Sequence, residues 1–200
     1  MHCYQVNLLK DPDHPGPNFL VDYVRETLAP ILAEEGLTLF GLFQGLFGLD
    51  SNELYLVVNS KTKISGIREK LSDSSFQLLN STSLVPTERP TEHSARNREG
   101  IYVFRWFDVL NKNVEEIATL SARAWVTFEG GFDTEVQGLF AEPDRDSTKG
   151  KMLLITWYKD LTVWQQSRQP PEEARENFMR RQALTLQAHP IATRLVQVTS

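Results

Sequence analysis

Thr87–Gly100, TERPTEHSARNREG, is polar, charged and proline-containing, and Ala95 is its single apolar residue. A segment with so little apolar surface cannot join a core, so it reads as a linker. It cuts the 200-residue chain almost at its midpoint, which raises the question of whether the two flanks repeat each other.

The order of elements repeats. Upstream, β-branched and aromatic runs predict strands at Tyr4–Leu9, Leu37–Gln44, Glu53–Val58 and Phe76–Val85, with helices at Asn18–Glu35 and Ile64–Leu71. Downstream, strands are expected at Ile101–Asp108, Thr134–Ala141, Met152–Tyr158 and Pro190–Val198, with a helix at Val114–Phe128 and a broken one at Leu161–Leu184. Landmarks keep a nearly constant offset: Tyr4 to Tyr102 is 98 residues, and Gly41-Leu42-Phe43 to Gly138-Leu139-Phe140 is 97. Each half therefore spells β-α-β-β-α-β, the ferredoxin-like motif, whose sheet carries helices on one face and leaves the other to be covered. The expected fold class is α+β: two tandem ferredoxin-like units, residues 1–86 and 101–200 joined by the linker 87–100, packed sheet to sheet as a pseudo-dimeric α/β barrel.

Composition bounds the function. With 40% hydrophobic and 24% charged residues the chain can build an ordinary core, and a net charge of −5 argues against a nucleic-acid partner. One cysteine, Cys3, cannot form a disulfide within the chain. No run approaches the roughly 18 apolar residues that span a bilayer, and the start, MHCYQVNLLKDPDHPG, lacks the pattern of a signal peptide. A cytoplasmic protein with no membrane partner is the expectation.

Strand alternation suggests where a pocket would lie. Tyr4, Val6 and Leu8, like Tyr102, Phe104 and Trp106, are uniformly apolar, so they are assigned to the helix-packed face. The opposite face then carries Gln5, Asn7 and Arg105, joined by Glu135, Gln137 and Arg194 from other strands. These six are the candidate ligand-binding residues, inside a barrel with walls from Phe40, Leu42, Phe107 and Leu139. An arginine within an apolar strand is costly unless paired or solvated. Two readings of Arg105 stay open: an ion pair with Glu135, or a contact to an acidic group on a ligand.

Other motifs carry less. The four histidines, His2, His14, His93 and His189, have no ligand spacing among them, so no metal site is expected. There is no G-x-S-x-G and no phosphate-binding glycine loop, and no cofactor is expected. Arg175, Arg180 and Arg181, with Glu172, Glu173 and Glu176, read as a solvated helix face. All four tryptophans, Trp106, Trp125, Trp157 and Trp164, lie in the second half, where core packing is the simplest role for each.

The second half also carries a family resemblance. Tyr102-Val-Phe-Arg-Trp-Phe107, Leu120-Ser-Ala-Arg-Ala-Trp125 through Phe128-Glu129, Gly138-Leu-Phe140, Leu153-Leu-Ile-Thr-Trp-Tyr158 and Trp164-Gln-Gln-Ser-Arg168 together resemble the NIPSNAP family of the dimeric α/β-barrel superfamily. The resemblance implies sheet-associated ferredoxin-like units but supplies no agreed catalytic residues. The wider superfamily implies two further chemistries, cofactor-independent oxygenation of aromatic substrates and haem-dependent reactions. The leading expectation is a protein that binds a small apolar or aromatic ligand bearing a polar group in the barrel cavity, with cofactor-independent monooxygenation as its chemistry if it is an enzyme. The alternatives are a noncatalytic protein-interaction module and a haem-binding protein. The fused halves are compatible with either a monomer or a homodimer.

Overall fold

A computed structural model describes residues 2–197. The first half runs β1 (Cys3–Lys10), α1 (Asn18–Tyr23), a π-helical turn at Val24–Leu28, α2 (Ala29–Glu34), β2 (Thr38–Phe47), β3 (Glu53–Ser60), α3 (Ile67–Lys70) and β4 (Gln77–Pro86). The second runs β5 (Ile101–Leu110), α4 (Val114–Gly131), β6 (Thr134–Ala141), β7 (Lys149–Tyr158), α5 (Leu161–Gln166), α6 (Glu172–Leu184) and β8 (Thr185–Val196). The fold is α+β, with β-α-β-β-α-β order in each half. β8 starts at Thr185 rather than at the expected Pro190, directly where α6 ends, and Val198 lies outside the described residues.

By contacts the described chain divides into two units, one of residues 2–85, 93–99 and 191–197, the other of residues 86–92 and 100–190. The segment expected to be a linker is thus shared between them, and each part has its own anchors. Within the first unit, His93 receives the Tyr4 side chain, and the Arg96 amide donates to the Phe40 carbonyl at 2.7 Å. Within the second, the Thr87 amide donates to the Leu139 carbonyl at 2.9 Å and the Leu139 amide to the Arg89 carbonyl at 3.0 Å, so this stretch pairs alongside β6.

In the first unit the strand order is β4-β1-β3-β2, all antiparallel, with the end of β8 paired to β2 from Leu42↔Val196 to Phe47↔Ala192. Leu9, Leu42, Leu54, Leu56 and Val58 project from this sheet onto Leu20, Val24, Leu28 and Leu32 of the helical segment. The π-helical turn in that segment has a local cause. Pro30, in the first turn of α2, has no amide hydrogen, and inside a regular helix its ring would press on the carbonyl four residues back. The chain widens instead, and the Ala29 amide reaches back five residues to the Val24 carbonyl.

The second unit repeats the order as β8-β5-β7-β6. Val103, Phe107 and Val109 of β5 meet Val114, Ile117, Ala124, Trp125 and Phe128 of α4. This reverses the expected parity: the helices pack on the face of Arg105 and Phe107, and in the first unit on the face of Leu9. Tyr102 and Phe104 point the other way, yet they are only 1% and 0% exposed. Both faces of these strands are buried, so aromatic richness does not mark the helix side.

Gly41 and Gly138 play one role twice. A Cβ at Gly41 would run into the ring of Phe43, and one at Gly138 into the ring of Phe140, because each ring folds back over the glycine two residues before it. Among the described residues no helix is long and apolar enough to cross a membrane.

Candidate functional site

Between the sheet and the helices of the second unit lies a cavity of about 680 Å³. Its floor is the helix-facing side of β5, β6 and β7, including Arg105, Phe107, Val136, Leu154 and Tyr158. One wall is α4, through Trp125 and Phe128; the other is α6 and the α5–α6 corner, through Trp164, Phe178 and Arg181. The Pro170–Pro171 pair separates α5 from α6 and so opens this corner, because neither proline can supply a helical amide.

Two arginines reach into it, Arg181 buried and Arg105 half-buried. Arg181 is only 7% exposed, its Nη1 donates to the Ser121 hydroxyl at 3.3 Å, and its guanidinium lies 4.7 Å from the Phe178 ring and 5.4 Å from the Phe107 ring. Burial, reinforced by the charge of Arg105, pushes its pKa down to about 9. Arg105 is likewise held below the ordinary arginine range, chiefly by burial; Tyr158 opposes that shift and Arg168 adds to it. Among the described residues neither arginine has a carboxylate partner, and Arg105 has no hydrogen-bond acceptor in the protein.

The other polar side chains of the lining are the neutral Thr156, Tyr158, Ser167, Gln182 and Thr185, two tryptophans and two further arginines. The indole Nε1 atoms of Trp125 and Trp164 are buried without a partner, although buried donors are nearly always paired. Arg168 and Arg175 add two exposed cations to the lining, which among the described residues contains no aspartate or glutamate. The nearby Glu129 is already committed: Arg89 holds it at 2.6 and 3.2 Å, and the Val136 amide donates to it at 2.7 Å. The cavity is therefore aromatic and cationic, with two unpartnered indoles in its lining.

Of the six expected site residues, Arg105 alone lines this cavity. Glu135 is exposed and sits in register with Trp157 and Tyr102, whereas Arg105 is in register with Leu154 and Leu139, so the two side chains leave opposite faces of the sheet. The register thus excludes the expected Arg105–Glu135 ion pair. Gln137 is buried at the register shift between Val136 and Gly138. In the first unit, Asn7 is satisfied by the Leu56 carbonyl at 3.3 Å and the Ser81 hydroxyl at 2.8 Å, while Gln5 is buried with its Oε1 unpartnered. Arg194 lies exposed in that unit, where its Nη2 donates to the Gln44 side chain across the strand pair at 2.8 Å.

Sequence reading misses Arg181, placing it on a solvated face. The available signal is spacing: Ala174, Phe178 and Arg181 stand at i, i+4 and i+7, which puts the arginine on the apolar stripe of α6. Trp125 and Trp164 are expected from the sequence only as packing.

No family model and no curated protein matches the chain. Solved structures do match over nearly its whole length. An anthrone oxidase-like protein aligns at 12% identity with a TM-score of 0.70, covering 98% of this chain and 92% of its own. A variant of the chlorite dismutase of Candidatus Nitrospira defluvii aligns at 8% identity and TM-score 0.62, over 98% and 91% of the two chains. A heme-binding protein from Thermus thermophilus aligns at 14% identity and TM-score 0.58, again over 98% and 91%. The architecture is that of the dimeric α/β-barrel proteins, with ferredoxin-like units. At such identities the likeness concerns the fold.

Proposed function

We propose that the second unit is a small-molecule-binding domain whose ligand, largely aromatic with a polar group, occupies the cavity between sheet and helices. The observation that carries this reading is the cavity itself. Its volume of about 680 Å³ falls within the usual range for ligand sites, and its lining includes Trp125 and Trp164, whose indole Nε1 atoms are buried without a partner. The site moves from the barrel interior expected from the sequence to the helix side of the sheet. The NIPSNAP resemblance of residues 101–196 supports the same half of the chain as the functional one. If the ligand is turned over, the anthrone oxidase-like neighbour favours oxygenation of an electron-rich aromatic, a chemistry that needs no metal when the substrate reacts as its anion.

The haem-binding neighbour supports a second reading less well. Among the described residues no histidine or cysteine lines the cavity, so it does not offer the nitrogen or thiolate ligand that most haem sites use.

Native mass spectrometry of freshly purified protein, followed by NMR titration with aromatic acids and phenols, tests the proposal. Adduct masses, or shifts confined to residues such as Trp125, Trp164 and Tyr158, are expected. An absence of any shift there at millimolar ligand would overturn it. A hemin titration run in parallel would favour the haem reading only if a new absorbance band appeared.

A further inference from the structure

We propose that Arg105 and Arg181 form an anion clamp, so that the cavity selects aromatic ligands carrying a carboxylate, sulfonate or comparably acidic group buried against these two guanidinium groups. The inference rests on the reading of the cavity as a ligand site and deepens it by naming the ligand class.

The first argument is charge balance. The chain as a whole is acidic, at −5, yet the described cavity lining holds four arginines and no acidic side chain. An ordinary structural arginine at this depth would be expected to have a carboxylate beside it, because an uncompensated buried charge is strongly unfavourable. Here the nearby carboxylate, Glu129, is taken by Arg89 and by the Val136 amide. Arg181 has only a hydroxyl and two ring faces for company. Arg105 and Arg181 also lie close enough for the charge of one to weaken the other's hold on its proton, as the depressed pKa of Arg181 records. A pair of like charges on one cavity is relieved by an anion between them, and a planar guanidinium fork suits an oxyanion of two or three oxygens.

The second argument is the remaining donor set. The Trp125 and Trp164 indole N–H groups are buried and unpartnered. Together with the clamp they make the charged and unpartnered groups of the lining donors rather than acceptors. Phe107, Phe128 and Phe178 supply apolar walls between these polar points, so the ligand that answers all of them is an aromatic body with an acidic head and a further acceptor oxygen.

A pair of fluorescent probes that differ in one group tests this without knowledge of the natural ligand. 8-Anilinonaphthalene-1-sulfonate carries the acidic head; N-phenyl-1-naphthylamine has the same rings without it. The intact protein is titrated with each, and binding is read from probe emission and from energy transfer out of the tryptophans, with Trp125→Phe and Trp164→Phe to place the probe. The sulfonate is expected to bind about tenfold more tightly than the neutral probe or better. Arg105→Gln and Arg181→Gln are each expected to remove about that preference while leaving the neutral probe's affinity nearly unchanged. Equal binding of the two probes would overturn the clamp and leave the ligand site standing. Failure of both to bind in the cavity would overturn the parent reading. A variant that does not fold is recognised by its circular dichroism, and the comparison of the two probes on the unaltered protein still decides the question.

Discussion

Arg89 holds Glu129 through two hydrogen bonds, Nη1 to Oε1 at 2.6 Å and Nη2 to Oε2 at 3.2 Å, and the same guanidinium lies 5.1 Å from the centre of the Trp125 ring. A residue of the expected linker thus fastens the carboxylate on α4 and packs against a cavity tryptophan within one unit. The pair is only partly shielded, with the arginine side chain 37% exposed.

A double-mutant cycle of Arg89→Met and Glu129→Gln is expected to show a coupling of about 1–2 kcal/mol, between the values for exposed pairs and for charged hydrogen bonds. Urea melts of the four proteins measure it. The same cycle on Arg105→Met and Glu135→Leu is expected to show none, since those side chains leave opposite faces of the sheet; coupling there would contradict the register.

Arg181→Met is expected to stabilise the protein by about 1–3 kcal/mol at pH 7, because a buried cation without a carboxylate gives way to an apolar chain of similar length. The sign follows from the depressed pKa. Below about 9 both the folded and the unfolded chain hold the proton and the burial penalty is fully in force; it eases only as pH rises through that value towards the ordinary 12.5. Thermal melts of the two proteins at pH 7 test this, and a clear loss of stability in the variant would show that the bond to Ser121 and the ring contacts outweigh the buried charge.

Gly138→Ala is expected to destabilise the protein by about 1–3 kcal/mol through overpacking against the Phe140 ring, and Gly41→Ala to do the same against Phe43. Pairing each alanine with Phe→Leu at the facing position should restore part of the loss. Chemical denaturation of the singles and doubles is the measurement.

His93 is held below its ordinary pKa of 6.5, first by burial and then by the charges of His2, Arg96 and the amino terminus. A base with a depressed pKa lends its stability fully above 6.5, and that contribution is lost as pH falls through the folded value. His93 stacks on His2 with ring centres 3.5 Å apart and bonds to the Tyr4 hydroxyl at 2.8 Å. An NMR titration should therefore place its midpoint under 6.5, and His93→Gln should flatten the fall in melting temperature between about pH 7 and pH 5.

Element order is legible in the sequence because the strands and the longer helical segments show their own periods. The expected helices Asn18–Glu35 and Leu161–Leu184 end within a residue of the observed segments. The face of each strand was not legible. All eight residues of β3 are buried, and β5 buries Tyr102 and Phe104 on one side and Val103 and Phe107 on the other. Alternation between apolar and polar residues is the only signal of direction along a strand, and it vanishes when neither side meets water. Arg105 stands out in the sequence as an arginine in an apolar strand, but its surroundings depend on which face meets the helices, which the sequence does not show. Arg181 was obscured by its neighbours, since Arg180 and Glu176 make the whole segment look solvated.

The π-helical turn at Val24–Leu28 bears on whether this helix could be transplanted. Leu20, Val24, Leu28 and Leu32 recur every fourth residue and are all buried. In a straight α-helix a four-residue step overshoots a full turn by about 40°, so such a row winds steadily around the axis. The wider turn takes up part of that excess and brings Leu28 and Leu32 back over the sheet. Anyone grafting this stripe onto another scaffold would have to carry Pro30 with it, or respace the leucines by threes and fours.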